Sequence, residues 1–305
     1  SDSDGVRGVP RSWYGGWKII NNPGYTPTNG QPELLWRPET AMSTTSPGAL
    51  VTSGPLRGME FTQGGAIRQF QYGPIESAPL MSGGDWRISD RSRAPDVEAA
   101  VKRHTFFSRA SWQLSDDLQV FAIGSYAHSV TDNQCCYNYY LNNITIQRDN
   151  AFLPETVRAQ MQSLGLDTLT VGSTNEDLGA IHGYSQRDVR RFVAGINGKL
   201  PALGSSWRWD AYAQRGTSNI SNEVTSTVVA KYRDAIDSVR DPSGRIVCRS
   251  TLTHPDNGCL PYNVLGYGVN SQRAIDYVLG TARLDQKLQQ DVVAASVQGE
   301  PLATR

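Results

Sequence analysis

The chain is poor in the residues that most directly announce chemistry. Its 305 residues include four cysteines (Cys135, Cys136, Cys248, Cys259) and four scattered histidines (His104, His128, His182, His254), with no C-x-x-C pair. This argues against a zinc site, which needs closely spaced thiolate and imidazole ligands. No G-x-S-x-G, no glycine-rich phosphate loop and no His-Glu-x-x-His occurs, so the usual signatures of a nucleophile elbow, a nucleotide cradle and a metalloprotease are missing. An excess of either charge is missing too: 29 basic residues balance 29 acidic ones. The balance gives no reason to expect a nucleic-acid partner. No run approaches the roughly 20 apolar residues of a membrane-spanning helix, and the hydrophobic fraction is only 38%. From these absences we expect no enzyme, no cofactor and no resident metal.

Two amphipathic hairpins stand out against this background: His104 to Val130 and Arg191 to Gly216. In the first, Phe106, Ala110, Trp112 and Leu114 share one face, and Thr105, Arg109, Ser111 and Gln113 share the other. A three-residue turn, Ser115-Asp116-Asp117, would set Leu114 opposite Leu118 and put Leu118, Val120, Ala122, Gly124 and Tyr126 on the apolar side. In the second, Phe192, Ala194, Ile196 and Leu200 oppose Val193, Asn197 and Lys199. On its return strand Trp207, Trp209, Ala211 and Ala213 oppose Arg208, Asp210, Tyr212 and Gln214. Strands of about ten residues with short turns at one end and very long connections at the other are the grammar of an outer-membrane β-barrel. On that reading the polar set Arg109, Gln113, Arg208, Asp210 and Gln214 faces the lumen, and Trp207 and Trp209 sit at the inner lipid interface.

The connections are rich in Gly, Pro, Asn and Ser. Residues 9–101 show no long alternation and read as a surface loop. In the second connection, Asn150 to Gly165 reads as a helix, because Pro154 and Glu155 suit its start and Gly165 its stop; a short strand follows at Leu166 to Ser173. In the third, Glu223 to Val239 has a helical spacing, Asp241-Pro242-Ser243-Gly244 is a turn, and Ser271 to Leu279 is a short helix. A final strand runs from Asp291 to Gly299.

Cys248 and Cys259 flank a strong turn signal, Pro255 to Gly258, and the natural expectation is a hairpin closed by a disulfide in an oxidising compartment; two unpaired small residues are the alternative. Cys135 and Cys136 are either a vicinal disulfide or partners of cysteines outside the chain. The carboxylates of Asp116-Asp117 and Glu176-Asp177 are expected to be solvated turn residues, with a calcium loop as the alternative at such oxygen-rich clusters. Trp13, Tyr14, Trp17 and Tyr25 in the first loop and Tyr137, Tyr139 and Tyr140 in the second are either loop cores or platforms for a ring-shaped ligand. Trp13, Tyr14, Trp17 and Tyr139 are the candidate ligand contacts.

Asp149 to Met161 (DNAFLPETVRAQM), Trp209 to Gly216 (WDAYAQRG) and Ala235 to Gly266 (AIDSVRDPSGRIVCRSTLTHPDNGCLPYNVLG) resemble TonB-dependent outer-membrane receptors, above all those of sphingomonad- and Caulobacter-type bacteria. The resemblance implies a closed antiparallel barrel with an internal plug. It also implies energy coupling through a TonB–ExbB–ExbD complex, contact with outer-membrane lipid, and capture of a scarce extracellular nutrient such as a siderophore or an oligosaccharide. With no plug, TonB box or terminal aromatic strand in evidence, residues 1–305 are expected to form about five strands of a partial barrel that neither inserts nor transports alone. The competing expectation is a secreted β-rich carbohydrate-binding module or carbohydrate-active enzyme.

Overall fold

The computed structural model describes residues 2–7, 15–90, 95–203 and 206–300. Its backbone is mostly strand, the sheets are antiparallel, and among the described residues no helix is long and apolar enough to cross a membrane. Five long strands dominate: β1 (Ala100–Ser115), β2 (Leu118–Tyr137), β3 (Ala180–Lys199), β4 (Arg208–Thr227) and β5 (Leu279–Gln298). They pair in sequence order, and the two-residue strand Asp2–Ser3 joins the free side of β1 at Val101 and Lys102. The sheet is an open panel of six strands.

These strands are longer than their alternation announces. β2, β3, β4 and β5 have 20 residues each, twice the expected length. The ladder continues past the apolar stretch into a zone where both faces carry polar groups. Hydrogen-bond pairing persists there while the hydrophobic period that marks a strand in sequence disappears.

The β1–β2 turn differs from the expected three-residue form. Ser115 pairs with Leu118 and Gln113 with Gln119, which leaves a two-residue turn, Asp116-Asp117, and bulges Leu114 out of the ladder. A one-residue slip exchanges the two faces of a strand, and the bulge cancels that slip: Trp112 still lies opposite Val120 and Ala110 opposite Ala122.

The long connections are not irregular. Residues 9–101 contain a series of strands of three or four residues, among them Ala49–Val51, Met59–Phe61 and Ile67–Gln69. These complete a five-stranded sheet with Tyr140–Gln147 and Thr168–Ser173 from the second connection. Such short strands hold too few residues for alternation to show. Gly172 explains one close approach: a Cβ there would lie 1.9 Å from the Thr44 carbonyl oxygen, so only glycine lets those two backbones meet.

Helices α1 (Glu155–Ser163), α2 (Val229–Ile236) and α3 (Gln272–Val278) cover this small sheet. One core of Val51, Phe61, Ile146, Met161, Val171, Tyr232 and Val278 ties all three connections together. α1 begins after Pro154 rather than at Asn150, because the Asn150 side chain is used in a turn, accepting from Phe152 N and donating to the Ile236 carbonyl. The helix expected over Glu223 to Val239 is shorter. Glu223 to Thr227 complete β4, pairing with β5 throughout and with β3 as far as Thr225; the helix starts at Val229, and Ser238–Arg240 is again a strand. Strand pairing on two sides overrides the weak helical spacing there. Ser271 caps α3 by accepting from the Ala274 N–H.

The Cys248–Cys259 disulfide is present, with a Cα separation of 6.1 Å, but it does not close a hairpin. The hairpin lies upstream, Ser238–Arg240 against Ile246–Cys248. Its turn is organised by the Asp241 carboxylate, which accepts from Ser243 N, Ser243 Oγ, Arg245 N and Arg245 Nε. The disulfide closes a short 3-10 turn, Arg249–Leu252, and the loop after it.

Candidate functional site

The long sheet has two chemically distinct faces, and register assigns each residue to one of them. On the first face one ladder row reads Ala110, Ala122, Ala194, Ala213, Val293, and the next towards the turns reads Trp112, Val120, Ile196, Ala211, Ala295. Trp209 and Val297 follow at the turn end. The small side chains leave an open trough of about 830 Å³ lined by Ser108, Ala110, Gly124, Phe192, Ala194 and Val293, among others.

Farther from the turns the same face becomes polar. Arg215 pairs with Asp291 at 2.7 Å. Asp188 accepts from the Tyr126 hydroxyl at 2.8 Å and lies 3.0 Å from His128 Nδ1. The apolar band is therefore bounded above by ionic groups and below by tryptophans.

The opposite face holds all five residues expected on it. Gln113 and Asp210 share one row with Gln119, Asn197 and Ser296; Arg109 and Gln214 share another with Ile123, Val193 and Val292; Arg208 lies between Lys199 and Gln298. Three of them have partners on the same face. Asp210 accepts from the Ser296 hydroxyl, Gln214 Oε1 accepts from Arg191 Nε at 2.8 Å, and the Arg109 guanidinium sits 5.3 Å from the Phe121 ring centre. Side chains here shield one another: Val193 is 5% exposed, whereas Phe192 beside it on the first face is 63% exposed.

A second site lies on the hairpin Lys18–Asn21 with Leu34–Arg37. Ile20 turns inwards and is buried, and Lys18 reaches Asp90 at 3.5 Å. The outward side carries Trp17, Ile19, Leu34 and Trp36, each half or more exposed, and the two indoles stack at 5.9 Å with 20° between planes. Trp17 is thus an exposed ring rather than part of a loop core, and Trp36 is a stacking partner that sequence reasoning missed. The alternation of Leu34 and Trp36 within Leu-Leu-Trp-Arg was the available signal. Trp13 and Tyr14 lie outside the described residues. Tyr139 is exposed, between strands that do not pair with the Trp17 hairpin. Tyr140 goes the other way: it stacks on Tyr232 at 4.6 Å in the core of the connections.

The remaining polar clusters are structural. Asp177 accepts from the backbone N–H groups of Gly268, Val269 and Asn270 and from Asn270 Nδ2, so its carboxylate organises a loop. Among the described residues no group of three or more His, Cys, Asp or Glu is placed to hold a metal ion. Arg249 bridges Asp149 and Asp237, and its hydrogen bonds hold the Asp149 carboxyl below the ordinary carboxylate value. Burial pushes the Glu60 carboxyl up, against the pull of Arg68 at 2.5 Å. Asn138 joins sheet to connections: its Oδ1 accepts from Ser226 Oγ and Thr227 N, and its carbonyl accepts from Asn175 Nδ2.

Comparison with known proteins returns nothing: no family model, curated protein or solved structure matches this chain.

Proposed function

We propose that the chain is a wall segment of a TonB-dependent outer-membrane receptor, an active importer of a scarce nutrient. The observation that carries the proposal is the difference between the two faces of the long sheet: one has an apolar band with tryptophans at the turn end, and the other mixes hydrogen-bonded polar side chains with apolar ones such as Ile123, Val193 and Val292. Outer-membrane barrels need such a band over about 9–11 residues per strand; Leu118 to Tyr126 supplies it on β2, while on β4 and β5 it runs only from Trp209 to Ala213 and from Val293 to Val297, up to the Arg215–Asp291 pair. Large aromatic and branched side chains stand in water on the isolated panel, with Phe106, Trp112, Phe192 and Val293 all more than 60% exposed. Lipid would cover the first face and the rest of a closed barrel the second. Substrate would be sampled by the connections, which share a core and carry the exposed Trp17–Trp36 pair. The panel makes and breaks no bond; transport would draw on TonB–ExbB–ExbD through a plug.

The Trp17–Trp36 pair, together with the separate core of the connections, favours a second reading, a secreted carbohydrate-binding module. The exposed long sheet weighs against it, because a soluble module has no use for an uncovered band of this size.

The test uses the complete receptor gene in a Gram-negative host. Membranes are reconstituted with brominated phospholipid, and quenching is compared between the parent and a Trp112→Phe/Trp209→Phe variant. Loss of most of the quenching in the variant supports the assignment. Solubility without detergent, or quenching unchanged by the variant, removes it. Ligand uptake abolished by deleting TonB would establish the importer role.

A further inference from the structure

Successive side chains on a regular strand point to opposite faces, so adjacent cysteines in a strand normally hold their sulfurs apart. At Cys135 and Cys136 the strand is not regular. Gln134 pairs with His182 and Tyr137 with Ala180, so two residues of β2 stand against the single residue Ile181 of β3. A bulge of this kind re-aims the side chains at the point of insertion. Here it brings the two Sγ atoms to 2.8 Å, inside the ordinary contact distance of two unbonded sulfurs. Cys135 is exposed and Cys136 half-buried, so a reagent has access.

We propose that Cys135 and Cys136 form a modification site, oxidised in the mature protein to a vicinal disulfide. Two further observations converge on it. The chain has four cysteines, and Cys248 and Cys259 are joined to each other, so each of the remaining two has the other as its partner within the chain. The Cys248–Cys259 bond also implies a compartment where disulfides form and persist. The oxidant is another disulfide, protein-borne or small. One cysteine thiolate attacks it to give a mixed disulfide, freeing one of the oxidant's sulfurs as a thiolate; the neighbouring thiolate then attacks the bound cysteine sulfur, closing the Cys135–Cys136 bond and freeing the oxidant's second sulfur. Two electrons pass to the oxidant, and the two thiol protons end on its sulfurs.

The modification would fix the bulge at the point where β2 leaves the sheet. Two residues later Asn138 makes the contacts to Gly179, Asn175, Ser226 and Thr227 that attach the connections to the panel. The proposal does not depend on what covers the sheet.

The experiment exports the full chain to an oxidising compartment, incubates it with oxidised glutathione, blocks thiols with N-ethylmaleimide under denaturing conditions and maps tryptic peptides. Cleavage after Arg109 and Arg148 places both cysteines on one peptide. The expected result is an unlabelled peptide lighter by two hydrogens than its reduced form, which takes two maleimides only after reduction. Cys135→Ser should leave Cys136 open to maleimide or to a glutathione adduct. Two maleimides on the unreduced parent peptide while Cys248–Cys259 remains linked would overturn the proposal, and so would a crosslink from either residue to Cys248 or Cys259.

Discussion

The Tyr232 hydroxyl donates to Asn175 Oδ1 at 2.7 Å, inside the core that unites the three connections. Tyr232 is fully buried and stacked on Tyr140, and burial drives its hydroxyl far above the ordinary tyrosine value, so it is a permanent neutral donor. Asn175 stands at φ +48° and passes the connection on to the Asn138 carbonyl. Tyr232→Phe removes one donor and strands a buried acceptor, a loss of about 1–3 kcal/mol. Thermal unfolding should show it, with the connections becoming protease-sensitive before the long strands.

Glu60 is almost fully buried and, among the described residues, is paired with Arg68, which also reaches Asp85. Arg68→Met leaves the Glu60 charge uncompensated, at a cost of about 3–5 kcal/mol near neutral pH. The sign with pH is fixed by the raised carboxyl. A folded state that holds its proton more tightly than the unfolded chain gains stability below the unfolded value and loses it as pH rises through the folded one. The deficit of the variant relative to the parent should therefore shrink between pH 7 and pH 4. A deficit that stayed constant would show that Glu60 does not feel the loss.

Asp241 gives the opposite dependence. Hydrogen bonds from Ser243 and Arg245 lower its carboxyl from 3.8 to about 2. The turn it organises is stabilised above the unfolded value, and that stabilisation fades as pH falls towards about 2. Melting temperatures between pH 5 and pH 2 should converge for the parent and Asp241→Asn, with the parent ahead at pH 5.

The two faces of the panel can be told apart by charge. Ala194→Arg puts a cation on the apolar band and should cost about 2–4 kcal/mol if that band meets lipid. Asn197→Arg, on the reverse face in the row of Gln119 and Asp210, tests a wet environment. Folding yield of the complete receptor into vesicles should drop sharply for the first and less for the second. Equal loss in both would sink the assignment of faces.

Sequence alone disclosed the parts of this fold that repeat. Alternation at Trp209, Ala211 and Ala213 against Arg208, Asp210 and Gln214 fixed two faces, and register bore that out. It also placed a helix over Asn150 to Gly165, of which Glu155–Ser163 forms, and a turn at Asp241. What it could not disclose are features made by distant residues: Ala49–Val51 pairing with Thr168–Ser173, or Trp36 arriving beside Trp17. Three-residue strands and loop-borne contacts leave no periodic trace. The upper halves of β2 to β5 were hidden for a related reason, because polar groups occupy both of their faces.

Leu114 has a consequence for how the hairpin can change over time. It is the residue the ladder does without, since Gln113 and Ser115 already pair consecutively with Gln119 and Leu118. Losing one residue elsewhere in β1 would turn the part of the strand beyond the gap inside out, exchanging Trp112 or Phe106 with a polar neighbour. Losing Leu114 would leave each pair in place. That single position is where the hairpin can absorb a deletion of one codon without confusing its inside with its outside.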